Sequence, residues 1–305
     1  MKLYHDFARA DDAPLVLAIG FFDGFHRGHL EIVRAMQRLR KPGYRAGVLT
    51  FVNHPAAFLR PGTEPPLLTS PEERIDLLAR AGVEECFIVP FGAELAALSA
   101  HAFVENVLFD HLKVRGLAVG ENFRFGHARS GDVPMLAAEF ARRQLPFVSV
   151  PNVLAGEERI SSTRIRALVG AGEIAQAEAL LGHAYDLRGR VTLGAGRGHQ
   201  LGFPTANVEL GTDKLMPPDG VYAALARYDG RDYAALVSIG TNPTFDGARR
   251  TVEAWLRDFH YTIYGEELAL RELRFVREQI RFENAAALVE QMNSDVAAVA
   301  YPAFG

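Results

Sequence analysis

Short apolar runs alternate with helical patterns through the first half of the chain. Five of these runs have the length and composition of buried strands, at residues 15–20, 45–51, 86–90, 116–120 and 147–150. Segments with helical periodicity separate them, including residues 30–39 and 102–112. Strands separated by helices predict an α/β fold, with a parallel sheet covered by helices on both faces. Such sheets bind ligands at the carboxyl ends of their strands.

The exact first residue of one helix in this half can be predicted. The Ser70 hydroxyl can accept a hydrogen bond from a first-turn amide, Pro71 suits the first helical position, and Glu73 can bond back to Ser70. We therefore predict a helix that begins after Ser70.

The pattern changes after about residue 183. Two apolar strands, at residues 221–228 and 231–239, flank Asp229-Gly230, a dipeptide that tolerates the positive φ of a type I′ turn and so predicts a hairpin. Two further strands and a closing helix follow, at residues 251–256, 268–276 and 284–299. Strands in a run with one terminal helix predict a compact antiparallel barrel.

The length of 305 residues favours two domains, because it exceeds what one hydrophobic core usually supports. We place them at residues 1–183 and 184–305, with residues 170–182 as a helical connection. A net charge of −4 gives no reason to expect a nucleic-acid binder. The single cysteine, Cys86, excludes an intrachain disulfide and fits a strand position. No run is long enough for a membrane span and the N-terminus lacks a signal-peptide pattern, so we expect a cytoplasmic protein.

The first candidate for chemistry is a histidine pair, His26 and His29, directly after the first predicted strand. Gly24 and Gly28 let the backbone turn sharply and approach a ligand. If a helix begins near His29, its first amides face the same pocket and both imidazoles can reach one triphosphate. The pattern favours nucleotidyl transfer, in which donors aimed at an α-phosphate supply the catalysis. Two surface histidines or part of a metal site are the alternatives, although no third ligand follows at a suitable spacing.

A second phosphate-binding signal lies late in the same half. Ser162 and Thr163 stand where a helix is predicted to open, and Arg166 follows one turn later. Hydroxyls and amides at a helix start suit phosphate, and an arginine can neutralise it. Simple N-capping by the hydroxyls is the alternative.

Taken together, the motifs resemble the bacterial bifunctional riboflavin kinase/FAD synthetase family, in order along nearly the whole chain. The stretches that carry the resemblance are GFFDGFHRGH (20–29), TFVNHP (50–55), VGENFRFG (119–126), ISSTRIR (160–166), GRGHQLGFPTAN (196–207), GTNPTF (240–245) and VEAWLRDF (252–259). One short motif would be weak, whereas this ordered set is specific.

The resemblance implies two ATP-dependent reactions with Mg²⁺. The C-terminal barrel would phosphorylate riboflavin to FMN and release ADP. The N-terminal Rossmann-like nucleotidyltransferase domain would join AMP from a second ATP to FMN, giving FAD and pyrophosphate. In the N-terminal site the resemblance assigns catalysis and ATP binding to His26 and His29. It assigns further ATP contacts to Gly24, Ser162, Thr163 and Arg166, and a flavin contact to Asn122.

For the kinase site the resemblance implies a second set of residues. Glu253 would be the general base that takes the proton of the ribityl hydroxyl, and Arg277 and Phe282 would lie near the flavin. The remaining positions would bind ATP: Gly196, Gly198, Gly202, Pro204, Thr205 and Asn207. Glycines let a loop wrap a nucleotide, and Thr205 and Asn207 alternate onto one strand face, where they offer neutral oxygens to a Mg²⁺ held by ATP.

The chain departs from the family pattern at a few positions. Phe21 stands where the family often has Asn, and Val52-Asn53 where it favours Glu-Pro. Trp255 and Arg257 replace a common His and Leu. Two alternatives to the two-activity enzyme remain open: a kinase whose adenylyl-transfer domain is weak or serves another alcohol phosphate, and a flavin- or nucleotide-binding regulator. A regulator would not need the base Glu253.

Overall fold

The computed structural model describes residues 1–8, 12–194, 203–211, 213–241 and 250–298. The chain divides into two compact units, Met1–Ser162 and Thr163–Gly305, which are described separately. The domain boundary at residue 183 stays a prediction. Within the described ranges, no helix is both long and apolar enough to cross a membrane.

The first unit is built on a six-stranded sheet with the order β1–β4–β3–β2–β5–β8, in which all neighbours are parallel. Its strands are β1 (Lys2–Tyr4), β2 (Leu15–Ile19), β3 (Arg45–Phe51), β4 (Glu85–Val89), β5 (Val114–Gly120) and β8 (Phe147–Val150). The chain moves outward from β2 to one side through β3 and β4, and later to the other side through β5 and β8. The switch point between β2 and β5 is the expected ligand crevice of such a sheet.

Short helices and hairpins connect these strands. The helices are α1 (Arg27–Arg38), α2 (Pro55–Leu59), α3 (Pro71–Arg80), α4 (Ala93–Ala97), α5 (Ala100–Ala102), which continues as a π-helix (Phe103–His111), and α6 (Val133–Arg142). The hairpins pair β6 (Arg124–Phe125) with β7 (Gly131–Asp132) and β9 (Leu154–Ala155) with β10 (Glu158–Arg159).

Helices cover both faces of the sheet, as predicted. Leu15 and Leu17 of β2 belong to one buried cluster, together with Phe140 of α6. Val16, the residue between them, belongs to the other cluster, together with Met36 of α1. Because successive residues of a strand point to opposite faces, each face of β2 has its own apolar core.

The start of α3 confirms the predicted cap. The Ser70 hydroxyl accepts from the Glu73 amide at 3.1 Å, and the Ser70 amide donates to the Glu73 carboxylate at 2.8 Å. Pro71 is the first helical residue. All five predicted strands of this unit are present, with ends that differ by at most two residues. β1 and the four short strands of the two hairpins were not predicted.

The second unit contains a closed antiparallel barrel with the order β11–β12–β15–β14–β13–β16. Its strands are β11 (Leu187–Thr192), β12 (Thr205–Glu209), β13 (Gly220–Tyr228), β14 (Arg231–Thr241), β15 (Arg250–Leu256) and β16 (Glu267–Arg277). The structure describes three helices from residue 162 onward: α7 (Ser162–Gly170), α8 (Ile174–Leu181) and α9 (Ala285–Ala298). The predicted hairpin turn is confirmed, with φ of 44° at Asp229 and 75° at Gly230.

Two candidate active sites

The histidine loop, which we define as residues 20–29, leaves β2 at the switch point of the sheet. Its backbone takes positive φ three times, at Phe22 (56°), Gly24 (75°) and Phe25 (36°). Only glycine adopts such angles without cost, so the two phenylalanines store strain that the surroundings must hold. Loops of this kind are found at functional sites more often than in structural turns.

Buried hydrogen bonds hold the middle of this loop. The Asp23 carboxylate accepts from the backbone amides of Leu68 and Thr69, both at 3.0 Å, and from the Thr69 hydroxyl at 3.1 Å. The Gly24 amide donates to the same Thr69 hydroxyl oxygen at 3.0 Å. Asp23 is only 2% exposed, so its role is to fix the loop rather than to meet a ligand.

The two histidines stand at the start of α1. The helix begins at Arg27, with His26 as N-cap and His29 in the first turn, two residues earlier than a start at His29 would give. The His26 and His29 rings stack with centroids 3.6 Å apart and an angle of 16°. Both imidazoles therefore lie together at a helix N-terminus, where amide dipoles favour an anion.

The cap defines which nitrogen of His26 can donate. Its Nδ1 accepts from the His29 backbone amide at 3.3 Å. A neutral imidazole that accepts at Nδ1 carries its proton on Nε2. In the neutral form, Nε2 is therefore the nitrogen of the His26 ring that carries the proton.

The hydroxyl of Ser162 contacts the histidine loop. Its Oγ donates to the Asp23 carbonyl at 2.9 Å. A hydroxyl has one proton, so in this arrangement Ser162 holds the loop and can only accept from a further group. In α7, which opens where predicted, Thr163 is exposed and Arg166 is half-buried. Phosphate contacts by these three residues stay predictions.

A cavity of about 580 Å³ opens in the first unit at the carboxyl ends of β2 and β3. Aromatic side chains from separate strands, helices and loops give it an apolar lining: Phe51, Phe58, Phe91, Phe103, Phe123 and Phe125. Flat aromatic ligands suit such a lining because rings stack offset or edge to face. The predicted flavin contact Asn122 does not line it; it is exposed, donates to Asn152 at 3.3 Å, and precedes the lining residue Phe123.

The second unit brings four of the predicted kinase residues to one cavity of about 380 Å³. Thr205, Glu253, Arg277 and Phe282 all line it. The sheet register explains why. Asn207 pairs with Glu253, Glu253 with Ser238, Ser238 with Val221, and Val221 with Arg277, so these five residues form one row across five strands. We call this the Glu253 row.

The two predicted metal-binding side chains share a face with the proposed base. Thr205 and Asn207 are two positions apart on β12, and their partners on β15 are Trp255 and Glu253. The Thr205 hydroxyl lies 3.5 Å from the Glu253 carboxylate. The Asn207 amide packs so closely on Gly194 that a Cβ there would lie 1.9 Å from its Nδ2. Neutral oxygens beside one carboxylate fit a Mg²⁺ whose charge is balanced by ATP phosphates.

An ion pair between β16 and the terminal helix also lines this cavity. The Arg277 guanidinium donates to both carboxylate oxygens of Asp295 in α9, at 3.0 Å from Nε and 2.7 Å from Nη2. Gln291 donates to the same carboxylate at 2.8 Å. The Arg277 guanidinium lies 6.0 Å from the centre of the Phe282 ring. Two predicted flavin-site residues are thus adjacent.

The remaining predicted residues give less information. Pro204 is exposed and directly precedes β12. Gly196, Gly198 and Gly202 lie outside the described residues, as does most of the stretch 240–245.

Several site residues were not predicted. No sequence pattern marks the phenylalanines of the first cavity, because each of them alone is typical of a core residue. A pattern does mark Asp295. It falls at helical spacing with Leu288 and Met292 on one face of α9, and a carboxylate on an apolar face suggests a buried partner.

Family models match both parts of the chain. A model described as FAD synthetase matches residues 8–164, and one described as riboflavin kinase matches residues 181–301. A bifunctional riboflavin kinase/FMN adenylyltransferase of Listeria monocytogenes is 35% identical over 93% of this chain and 91% of its own length. The protein of that name from Escherichia coli is 35% identical, over 96% of this chain and 93% of its own length.

A solved structure is similar over the whole fold. It is described as a macrolide-efflux protein from Streptococcus pneumoniae, with a TM-score of 0.85, 31% identity and coverage of 97% of both chains. Its name is that of a different activity, whereas both family models and the curated relatives name flavin enzymes. With two family models in order and relatives of this identity over nearly its full length, the chain belongs to the bifunctional riboflavin kinase/FMN adenylyltransferase family.

Proposed function

We propose that FMN adenylylation takes place in the first unit, with the flavin ring in the phenylalanine-lined cavity and the ATP phosphates at the histidine loop. The observation that carries this proposal is the stacked pair His26 and His29 at a helix N-terminus, beside a cavity with an aromatic lining. Both features lie at the carboxyl ends of the central strands, where α/β sheets bind ligands.

The chemistry requires positioning and charge stabilisation. An oxygen of the FMN phosphate attacks the α-phosphorus of ATP, the new P–O bond forms, and the bond to pyrophosphate breaks. Negative charge builds on the oxygens of the α-phosphorus and on the departing pyrophosphate. The His26 Nε2–H, the imidazole of His29 and the first amides of α1 are donors for that charge, and preorganised donors of this kind contribute a large part of phosphoryl-transfer catalysis.

Riboflavin phosphorylation takes place in the second cavity. Glu253 removes the proton of the terminal ribityl hydroxyl, whose oxygen attacks the γ-phosphorus of ATP while ADP leaves. Thr205 and Asn207 would hold the Mg²⁺ that accompanies ATP, and the ion would neutralise charge on the transferred phosphate. The isoalloxazine ring extends toward Arg277 and Phe282 along the Glu253 row.

Separate sites predict separable activities. In the full-length chain, His29→Ala should abolish FAD formation from FMN and leave FMN formation from riboflavin unchanged. Glu253→Ala should do the reverse, with a loss of about 100- to 10,000-fold, the usual contribution of a general base. The products of riboflavin, ATP and Mg²⁺ can be separated by chromatography.

The same assay distinguishes the alternatives. Formation of FMN without FAD by the wild-type chain would support a kinase with a weak first unit. Unchanged riboflavin would refute both enzyme hypotheses, the two-activity enzyme and the kinase with a weak first unit. Loss of both reactions in either variant would contradict the assignment of one site to each unit.

A further inference from the structure

An arginine buried beneath the histidine loop has no part in the chemistry described above. Arg74 of α3 is fully buried, and three groups accept hydrogen bonds from its Nη1: the Phe21 carbonyl at 2.8 Å, the Phe51 carbonyl at 2.8 Å and the Thr50 hydroxyl oxygen at 3.3 Å. The guanidinium also lies 4.3 Å from the centre of the Phe21 ring.

The two carbonyls belong to the two halves of one active site. Phe21 opens the histidine loop, which would bind the ATP phosphates. Phe51 ends β3 and lines the cavity proposed for the flavin ring. A single nitrogen atom therefore joins the two strand ends from which the two substrate-binding parts extend.

Burying this cation is costly. Its Nε and Nη2 have no hydrogen-bond partner within the described part of the chain, and burial lowers the pKa of the guanidinium. Among the described residues, no carboxylate lies within ion-pair distance of it, although the charge of Asp23 acts in its favour. An apolar side chain would fill the space without that penalty, so the charged group is not explained by packing.

The chain just before α3 holds the same loop. Leu68 and Thr69 bind Asp23, and Thr69 also binds Gly24, so the loop is fixed at its middle by the segment that leads into α3. Arg74 fixes its first residue. Thr50 assists, because its hydroxyl donates to the Phe21 carbonyl at 2.9 Å.

We propose that Arg74 is a positioning residue for FMN adenylylation, which sets the separation between the histidine loop and the rim of the flavin cavity. The inference rests on the proposed location of that reaction. Arg74 contacts neither substrate, so its effect is exerted through Phe21 and Phe51. Its loss should slow the reaction of bound substrates and change their binding little.

The first test is Arg74→Met in the full-length chain. Misplacement of reacting groups by about 1 Å can reduce a rate by about 100-fold, so we expect kcat for FAD formation from FMN to fall by about 10- to 100-fold. The KM values for ATP and FMN should change by less than about threefold, since each half of the site keeps its own groups. FMN formation from riboflavin, measured on the same sample, should be unchanged.

Arg74→Lys separates positioning from general structure. All three hydrogen bonds come from one nitrogen, and an ammonium has three donors, on a stem that is one bond shorter than the path to Nη1. The lysine variant can still donate to the nearer carbonyl oxygens after a small shift, so it should recover a measurable part of the lost kcat, at least about threefold over Arg74→Met. The matched control is Arg80→Met, at the exposed end of the same helix, which should keep the wild-type kcat.

The possible results separate clearly. Wild-type kcat in Arg74→Met, or a raised KM with unchanged kcat, would overturn the inference. If Arg74→Met melts below the assay temperature, Arg74→Lys decides alone, and a fully folded lysine variant without FAD formation would also overturn it. A wild-type chain that makes no FAD from FMN would instead refute the proposed function itself.

Discussion

Gly194 offers the sharpest single test of the kinase site. It follows β11 and packs against the side chain of Asn207. An alanine Cβ at this position would lie 1.9 Å from Nδ2 and 2.6 Å from Cγ of Asn207, whereas real Cβ contacts are not shorter than 3.0 Å. The amide must therefore move by at least about 1.1 Å, the difference between 3.0 and 1.9 Å. The backbone of Asn207 is held in place during this movement, because Asn207 is paired with Thr192 of β11 on one side and with Glu253 of β15 on the other.

The size of the effect follows from this displacement. Rotating one short side chain costs about 0.5–1.5 kcal/mol, so Gly194→Ala should remain folded. A displacement of about 1 Å at a group proposed to orient the metal and phosphates should lower kcat for FMN formation by about 100-fold, equivalent to about 2.7 kcal/mol of transition-state free energy. The Mg²⁺ concentration for half-maximal rate should rise. FAD formation from FMN should be unaffected.

The assay compares initial rates of FMN formation for the wild-type chain, Gly194→Ala and Gly211→Ala. Gly211 is the matched control, because a Cβ there meets no atom within 4 Å. A kcat for Gly194→Ala within twofold of wild type would refute the reasoning, since it would mean that the position of the Asn207 amide does not matter for the reaction. An equal loss in both variants would point to a general effect of alanine in this unit.

Three further predictions follow from single side chains. Trp255 is the only tryptophan and lines the kinase cavity, so riboflavin should quench its fluorescence; a chain in which saturating riboflavin leaves the emission unchanged would contradict that placement. Burial raises the pKa of the Cys86 thiol from 9.0 to about 12. At pH 8 its alkylation should therefore be about 1,000-fold slower than in an unfolded control, and equal rates would disprove its burial. Asp295→Asn removes the charged partner of Arg277. It should lower the free energy of unfolding of the unit by about 1–3 kcal/mol in chemical denaturation and raise the KM for riboflavin. An unchanged free energy of unfolding and an unchanged KM would show that the ion pair is not needed.

Much of the fold was predictable because the local signals were strong. The five apolar runs of the first unit became strands within two residues of their predicted ends, and Asp229-Gly230 took the predicted turn. Two of the strands that were missed, β1 and β11, lack such runs. β1 has three residues, mostly exposed, and β11 contains Gly189, whose Cβ would lie 2.3 Å from the Glu209 carbonyl oxygen. Both need their neighbours in the sheet to explain them.

The sites were predictable only where one stretch of chain carries the chemistry. The histidine pair lies three residues apart, and Thr205 and Asn207 two apart, so spacing alone brings each pair together. Arg74, by contrast, contacts carbonyls 53 and 23 residues earlier in the chain. No sequence pattern predicts a side chain that binds backbone atoms of distant strands, because every residue has a backbone carbonyl whatever its side chain.

The Glu253 row of the barrel also fixes the distance between two of its residues. Neighbouring strands are about 4.8 Å apart, so Glu253 on β15 and Arg277 on β16, separated by three strand steps, stand roughly 14 Å apart along the sheet. With riboflavin phosphorylation in this cavity as proposed, that spacing limits the length of a molecule that can reach from Arg277 to Glu253. A flavin analogue with a side chain one carbon shorter should then bind with its terminal hydroxyl short of Glu253, so the backbone pairing of the barrel contributes to the choice of substrate length.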